Sequence, residues 1–274
     1  MTNRTKHEEL KKIIAGYGPM LVAYSGGVDS TLLAAVAREV QKEKTRCVLL
    51  DSPVVPRAEV LQAEEIARDC GLVLDIIEIP LMGRAEFRMN PQDRCYHCRK
   101  ISAGFLKKLA AERGLACIAD GSNLSDTGGH RPGLLASTEE GIMHPFIDAG
   151  ITKQDIRDIA RERGLTVWDK PAAACLASRI PYGDAITASK LRRIEEAEAY
   201  LAGLGIGQLR VRLHGNLARI EVHKEEMGKI LEQQPAITGK FRSLGFTYVT
   251  LDLEGYRSGS MDEVLSNHED GNDV

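Results

Sequence analysis

The chain has little of several things, and each shortage narrows what it can be. Charged residues interrupt every apolar stretch before it approaches the length of a membrane span, which argues against a spanning helix. Aromatic residues make up only 5% of the sequence, with a single tryptophan, so any core must be mainly aliphatic. A basic excess is absent: 36 Lys and Arg face 39 Asp and Glu, a net charge of −3. That argues against a protein whose main task is gripping nucleic acid, while leaving room for a local basic pocket. Six cysteines in 274 residues are too few for a disulfide scaffold. The charged start, MTNRTKHEELKKII, has no apolar signal-peptide core, so a cytoplasmic protein with reduced thiols is expected. In that setting a cluster of cysteines points to metal binding or to chemistry. There is no internal repeat and no low-complexity segment.

What remains is an ordinary soluble composition, 43% hydrophobic and 27% charged, long enough for one large or two medium domains. The first part alternates. Strand-like MLVAY, RCVLLD, LVLDIIEI and LACIAD alternate with helix-like segments before, between and after them, three of which close on Gly71, Gly114 and Gly164. This pattern predicts an α/β domain with a parallel sheet covered on both faces, spanning residues 1–183. From 184 to 274 the pattern changes to a helix, SKLRRIEEAEAYLAGLG, and two strands, QLRVRLHG and LARIEVH, that meet at His214-Gly215-Asn216. A further helix and a last strand, FTYVTLDL, complete a small α+β domain, and the polar tail after Tyr256 is expected to fray.

Three stretches carry chemistry. SGGVDS, residues 25–30, lies between a strand and a helix, and two adjacent glycines let backbone N–H groups converge at a helix N-terminus. Ser25 and Ser30 add hydroxyl donors, so the loop suits a phosphate or pyrophosphate; the Gly-Lys-Ser/Thr ending of a Walker loop is missing. Cys95 and Cys98 stand at C-x-x-C spacing beside Arg94, Arg99 and Lys100. Such a pair can chelate a metal or cycle as a dithiol. Cys175 is a candidate third ligand if both loops line the same end of the sheet, giving either an iron–sulfur cluster with one open iron or zinc completed by His97 or water. Cys47, Cys70 and Cys117 are assigned to the core.

Arg210 and Arg212 alternate along a strand and so share a face with His214, a pattern suited to gripping a phosphate. Ser178 and Arg179 follow Cys175 and are candidate contacts for phosphate or carboxylate. Asp126 and Arg131, with Asn123, lie in the glycine-rich loop DGSNLSDTGGHRPG after a strand, where ligands bind in this architecture. Glu198 and Glu221 are candidate metal carboxylates, His130 and His144 have no assigned role, and Trp168 is assigned to packing.

SGGVDS resembles the PP-loop of the N-type ATP pyrophosphatases. The ordered set SGGVDS, DRCYHC, DGSNLSD, HRPG, CLASRIPYG and RVRLHG, from about residue 20 to 222, resembles the LarE family of sulfur-inserting enzymes. The resemblance implies an adenine nucleotide α-hydrolase-like domain that cleaves ATP between the α and β phosphates. Ser25, Gly26, Gly27, Asp29 and Ser30 would then hold phosphates with Mg²⁺. It implies adenylation of a carboxylate of pyridinium biscarboxylic acid mononucleotide, followed by conversion to a thiocarboxylate on the way to a nickel-pincer nucleotide. Cys175 matches the family's reactive cysteine, and nearby Lys170 and Arg179 would favour its thiolate. Single-cysteine members sacrifice the thiol and leave dehydroalanine. Others hold a [4Fe–4S] cluster on three cysteines, and the triad Cys95, Cys98 and Cys175 favours the cluster here. A homo-oligomer acting on a small nucleotide, with no nucleic-acid or membrane partner, is the accompanying expectation. The competing readings are an NAD-synthetase-like or tRNA-thiolating enzyme and, from another class, a nucleotide-binding iron–sulfur sensor.

Overall fold

The computed structural model describes residues 2–128 and 131–263. The chain forms two compact units. The first holds residues up to Phe87 together with Gln92–Ala173; the second holds Arg88–Pro91 and the chain from Ala174 onward. The division falls at 173/174, and the second unit takes in a short segment from far upstream. That segment belongs there because Asn90, buried and in the left-handed region at φ 54°, donates through Nδ2 to the carbonyls of Ile180, Pro181 and Asp184. The Gly183 and Ile186 N–H groups in turn donate to the Asn90 and Arg88 carbonyls. No local periodicity announces such a graft.

In the first unit α1 (Asn3–Gly16) leads into β1 (Met20–Ala23), α2 (Val28–Gln41), β2 (Thr45–Asp51), α3 (Arg57–Asp69) and β3 (Leu74–Glu78). The short α4 (Ala85–Arg88), α5 (Arg94–Glu112), β4 (Cys117–Ala119), α6 (Pro132–Glu139), α7 (Pro145–Asp148) and α8 (Lys153–Glu162) follow. The four strands form a parallel sheet in the order β3-β2-β1-β4. Alternation along the strands builds two cores. Met20, Val22, Cys47 and Leu49 pack with α1, α2, α3 and α8, whereas Leu21, Val48 and Ile118 pack with Ala103, Leu106 and Ala110 of α5. Cys47 is buried as expected, and burial pushes its thiol up to about 12, so it is chemically inert. Helix α8 starts on a reciprocal Thr152–Asp155 capping box, which fixes where Lys153 emerges. Because β1 has β2 on one side and β4 on the other, the chain reverses direction across the sheet at β1, and a cleft opens outside the carboxyl ends of β1 and β4.

The second unit consists of α9 (Ala188–Gly203), β5 (Leu209–His214), β6 (Leu217–Val222), α10 (Met227–Glu232), α11 (Gln234–Ser243) and β7 (Tyr248–Leu251). β5 and β6 pair antiparallel, with His214 opposite Leu217, and Gly215 takes φ 58° in the two-residue turn. β7 returns through α10 and α11 to lie parallel to β6. Residues beyond Tyr256 do not begin to fray where expected: Ser260 is buried, and Asp262 accepts from Tyr182 at 2.8 Å. Among the described residues, no helix is long and apolar enough to cross a membrane.

Candidate functional site

The first unit's site is a polar cavity of about 330 Å³ at the β1–β4 cleft. Ser25, Asp29 and Ser30 from the SGGVDS loop line it, with Asp120 and Asp126 from the segment after β4 and Arg99 and Ser102 from α5. The loop's shape follows from its two glycines. Gly26 sits at φ 70°, and a Cβ there would come within 2.6 Å of the Ala63 Cβ on α3. Gly27 is the N-cap of α2, which therefore begins at Val28. Ser30 Oγ donates to the Gly27 carbonyl at 3.2 Å, and the Ser25 N–H donates to Ser30 Oγ at 3.2 Å. The two serine hydroxyls stand 3.1 Å apart. Backbone N–H groups at a helix N-terminus, flanked by hydroxyls, form a site for an anion.

Asp29 does not stand alone in that field. Lys153 binds its Oδ2, and Asn123 Nδ2 donates to its Oδ1 at 3.4 Å. Gly121 allows the β4 segment to press against α2, since a Cβ there would lie 2.9 Å from the Asp29 Cβ. Asp126 reaches the cavity and lies 3.6 Å from Arg131, but it also caps its own turn by accepting from the Asn123 N–H. Arg131 is exposed, and His130 falls outside the described residues.

Asp120, buried in the cavity lining, pairs with half-buried His144, a partnership that no sequence pattern indicates. His144 Nδ1 lies 2.9 Å from Asp120 Oδ1, and its Nε2 lies 3.1 Å from the Thr138 hydroxyl. Burial opposes ionisation of Asp120, but the His144 hydrogen bond and the Arg99 charge prevail and hold its carboxyl at about 2. The partners stand 24 positions apart in the chain, so nothing local reveals them.

Cys95 and Cys98 lie within the first five residues of α5, the former exposed and the latter half-buried. Each is four residues before a cavity residue, Arg99 and Ser102 respectively, so both thiols share the helix face that leads to the cavity wall. Among the described residues, no three His, Cys, Asp or Glu side chains gather as a metal-binding group.

Cys175 belongs to the second unit, as the residue before a short 3₁₀ turn, Leu176–Arg179. It is half-buried, while Pro171–Ala174 are exposed. Its backbone is pinned: its carbonyl accepts from the Ser178 N–H at 3.0 Å, from Ser178 Oγ at 2.8 Å and from Arg179 Nη1 at 2.9 Å. Arg179 is held in turn by a two-pronged ion pair with Glu198, through Nε at 3.0 Å and Nη2 at 3.1 Å. Arg212 donates to the Ser178 carbonyl at 3.1 Å and to Glu221 at 2.7 Å. Arg219 and Ser260 also donate to Glu221, at 3.0 and 2.9 Å. Arg210 stacks over Tyr256 at 5.3 Å; burial, then the nearby Arg179 charge, lowers its pKa. Ser178, Arg179, Arg210 and Arg212 thus come together.

Glu198 and Glu221 do not stand free for a metal. Glu198 clamps Arg179 and accepts the Val211 N–H at 2.9 Å, while Glu221, with no solvent exposure, is shared by two arginines. Their charges hold the arginines in place. Lys170 is likewise committed, to Glu59 and the Gly26 carbonyl, and neither of these contacts involves the Cys175 thiol.

A glycine-rich strand–loop–helix on a parallel sheet is the design of the PP-loop ATP pyrophosphatases, and the comparisons agree. Glutamine-hydrolysing GMP synthases of Chlorobaculum tepidum and Brucella melitensis match, the latter at 26% identity over 70% of this chain and 42% of their own. An uncharacterised protein of Synechocystis sp. is 39% identical over 96% of this chain and 98% of its own. The pyridinium-3,5-bisthiocarboxylic acid mononucleotide synthase of Lactiplantibacillus plantarum is 34% identical over 97% and 96%. The chain belongs to this synthase family, the LarE family, within the PP-loop superfamily. No family model matches the chain.

Proposed function

We propose that the protein is an ATP-dependent sulfur transferase. In this reading it adenylates a carboxylate of pyridinium biscarboxylic acid mononucleotide and converts it to a thiocarboxylate. The observation that carries this reading is the near-full-length match to the Lactiplantibacillus plantarum synthase, combined with a glycine bend and two serine hydroxyls at a helix N-terminus in one unit and a pinned cysteine among arginines in the other.

A carboxylate is a poor electrophile. Attack of its oxygen on the α-phosphate of ATP forms the acyl-adenylate and expels pyrophosphate, which the Gly26–Gly27 loop and the Ser25 and Ser30 hydroxyls would receive. The Asp29 and Asp126 carboxylates at the cavity are hard oxygen donors of the kind Mg²⁺ takes alongside substrate phosphates. Arg210 and Arg212 suit the substrate's phosphate. Arg212 is 6% exposed at its side chain, and its Nε has no hydrogen-bond partner in the protein, so a buried donor is left for an anion to satisfy. The second step needs sulfur at the acyl carbon with AMP leaving, and Cys175 is the assigned sulfur centre.

For the sulfur source we favour a [4Fe–4S] cluster held by Cys95, Cys98 and Cys175, whose soft donors suit it, with the pair already on one helix face. When bound, such a cluster supplies an extra sulfide on its uncoordinated iron. The test is anaerobic iron and sulfide analysis together with intact mass before and after turnover with Mg-ATP and the pyridinium substrate. The expected result is pyrophosphate release, about four irons per chain and an unchanged polypeptide mass. Loss of H₂S from Cys175 would establish the sacrificial route instead. No pyrophosphate release would overturn the proposal.

A further inference from the structure

Lys170 presents an ammonium whose side chain is only 10% exposed, and a buried cation must be paired. Its partners both belong to the support of the phosphate loop. Nζ donates to the Gly26 carbonyl at 3.3 Å and lies 2.9 Å from Glu59 Oε2, an ion pair too oblique to count as a hydrogen bond. Glu59 is four residues before Ala63 on α3, so the two share one helix face. Ala63 is the residue that Gly26 rests against. One face of α3 thus backs the loop by shape at Ala63 and by charge at Glu59, with Lys170 joining that charge to the loop.

The consequence lies in a single peptide group. The Gly26 carbonyl and the Gly27 N–H belong to the same planar trans unit and point in opposite directions. A cation that holds the carbonyl from behind aims the N–H into the loop. Its acceptor there is Ser25 Oγ at 3.4 Å, a long contact that a phosphate oxygen would readily replace. We propose that Lys170 is a positioning residue for nucleotide binding, setting the Gly26–Gly27 peptide from behind while Glu59 balances its charge. The proposal rests on reading the loop as a phosphate site. It adds a residue from the end of the first unit, five positions before Cys175 in the chain.

The test is titration of Mg-ATP into the full-length protein without the pyridinium substrate, with thermal midpoints measured alongside. Lys170→Met should weaken Mg-ATP binding about tenfold or more, the loss expected for one charge-assisted contact. Lys170→Arg, which can still reach a carbonyl, should stay within about threefold of wild type. Lys170→Met/Glu59→Gln removes the unpaired carboxylate and should fold normally yet keep the weakened binding. Binding within about twofold of wild type in that double variant would overturn the proposal. So would equal losses in the Met and Arg variants with equally lowered midpoints, the signature of a purely structural residue, or a wild-type protein that does not bind Mg-ATP. If Lys170→Met weakens ATP but wild type forms no thiocarboxylate, the inference stands and the sulfur-transfer reading falls.

Discussion

The two proposed anion sites are built by opposite means. In the first, the receiving groups are mainly backbone: a glycine bend, a helix N-terminus and two serine hydroxyls bonded loosely to one another. In the second they are side chains, with Arg179 and Arg212 locked in advance by Glu198 and Glu221. A backbone site uses fixed dipoles and needs no buried charge, so it can stay open. A site of buried guanidinium groups must be neutralised before any substrate arrives, because an unpaired buried charge costs several kcal/mol. The first site therefore depends on shape and the second on charge balance.

That contrast can be broken at either end. The largest effect is expected at Gly26, where shape is everything. Gly26→Ala places a Cβ against Ala63 and forces a side chain onto φ 70°. The rate of pyrophosphate release at low ATP should fall about a hundredfold or more, with Mg-ATP affinity falling alongside. Gly26→Ala/Ala63→Gly relieves the contact but not the backbone strain, so it should recover only part of the loss. Full recovery would show that the positive φ does not matter. A smaller effect is expected at Arg212. Arg212→Met removes one of two guanidinium partners from the fully buried Glu221 and should lower stability by about 3 kcal/mol in denaturant unfolding. It should also raise KM for the nucleotide substrate while leaving Mg-ATP binding within about twofold. Equal weakening of both ligands would sink the idea that the two sites are built independently.

The same contrast explains what the sequence could reveal. The parallel sheet, its order of strands and helices and the β5–β6 hairpin were readable because they rest on local periodicity and glycine stops. The glycine bend between β1 and α2 was readable because its parts are contiguous. Helices α6, α7 and α11 lack clear periodicity, and their one local signal is a proline in the first turn. The 173/174 division depends on Asn90 reaching residues about ninety positions away, which no local pattern encodes. For the same reason no local pattern could show that Glu198 and Glu221 serve arginines, that Ser260 folds back onto Glu221, or that Lys170 turns to the Gly26 carbonyl. Ion pairs are decided by which side chains meet, and spacing in the chain does not encode that.

The central claim is that ATP activation at the glycine loop and sulfur chemistry at Cys175 are two halves of one reaction. Cys175→Ala, assayed for both products with Mg-ATP and the pyridinium mononucleotide, tests it most directly. The account predicts pyrophosphate release near the wild-type single-turnover level and no detectable thiocarboxylate. Normal thiocarboxylate formation by that variant would contradict it.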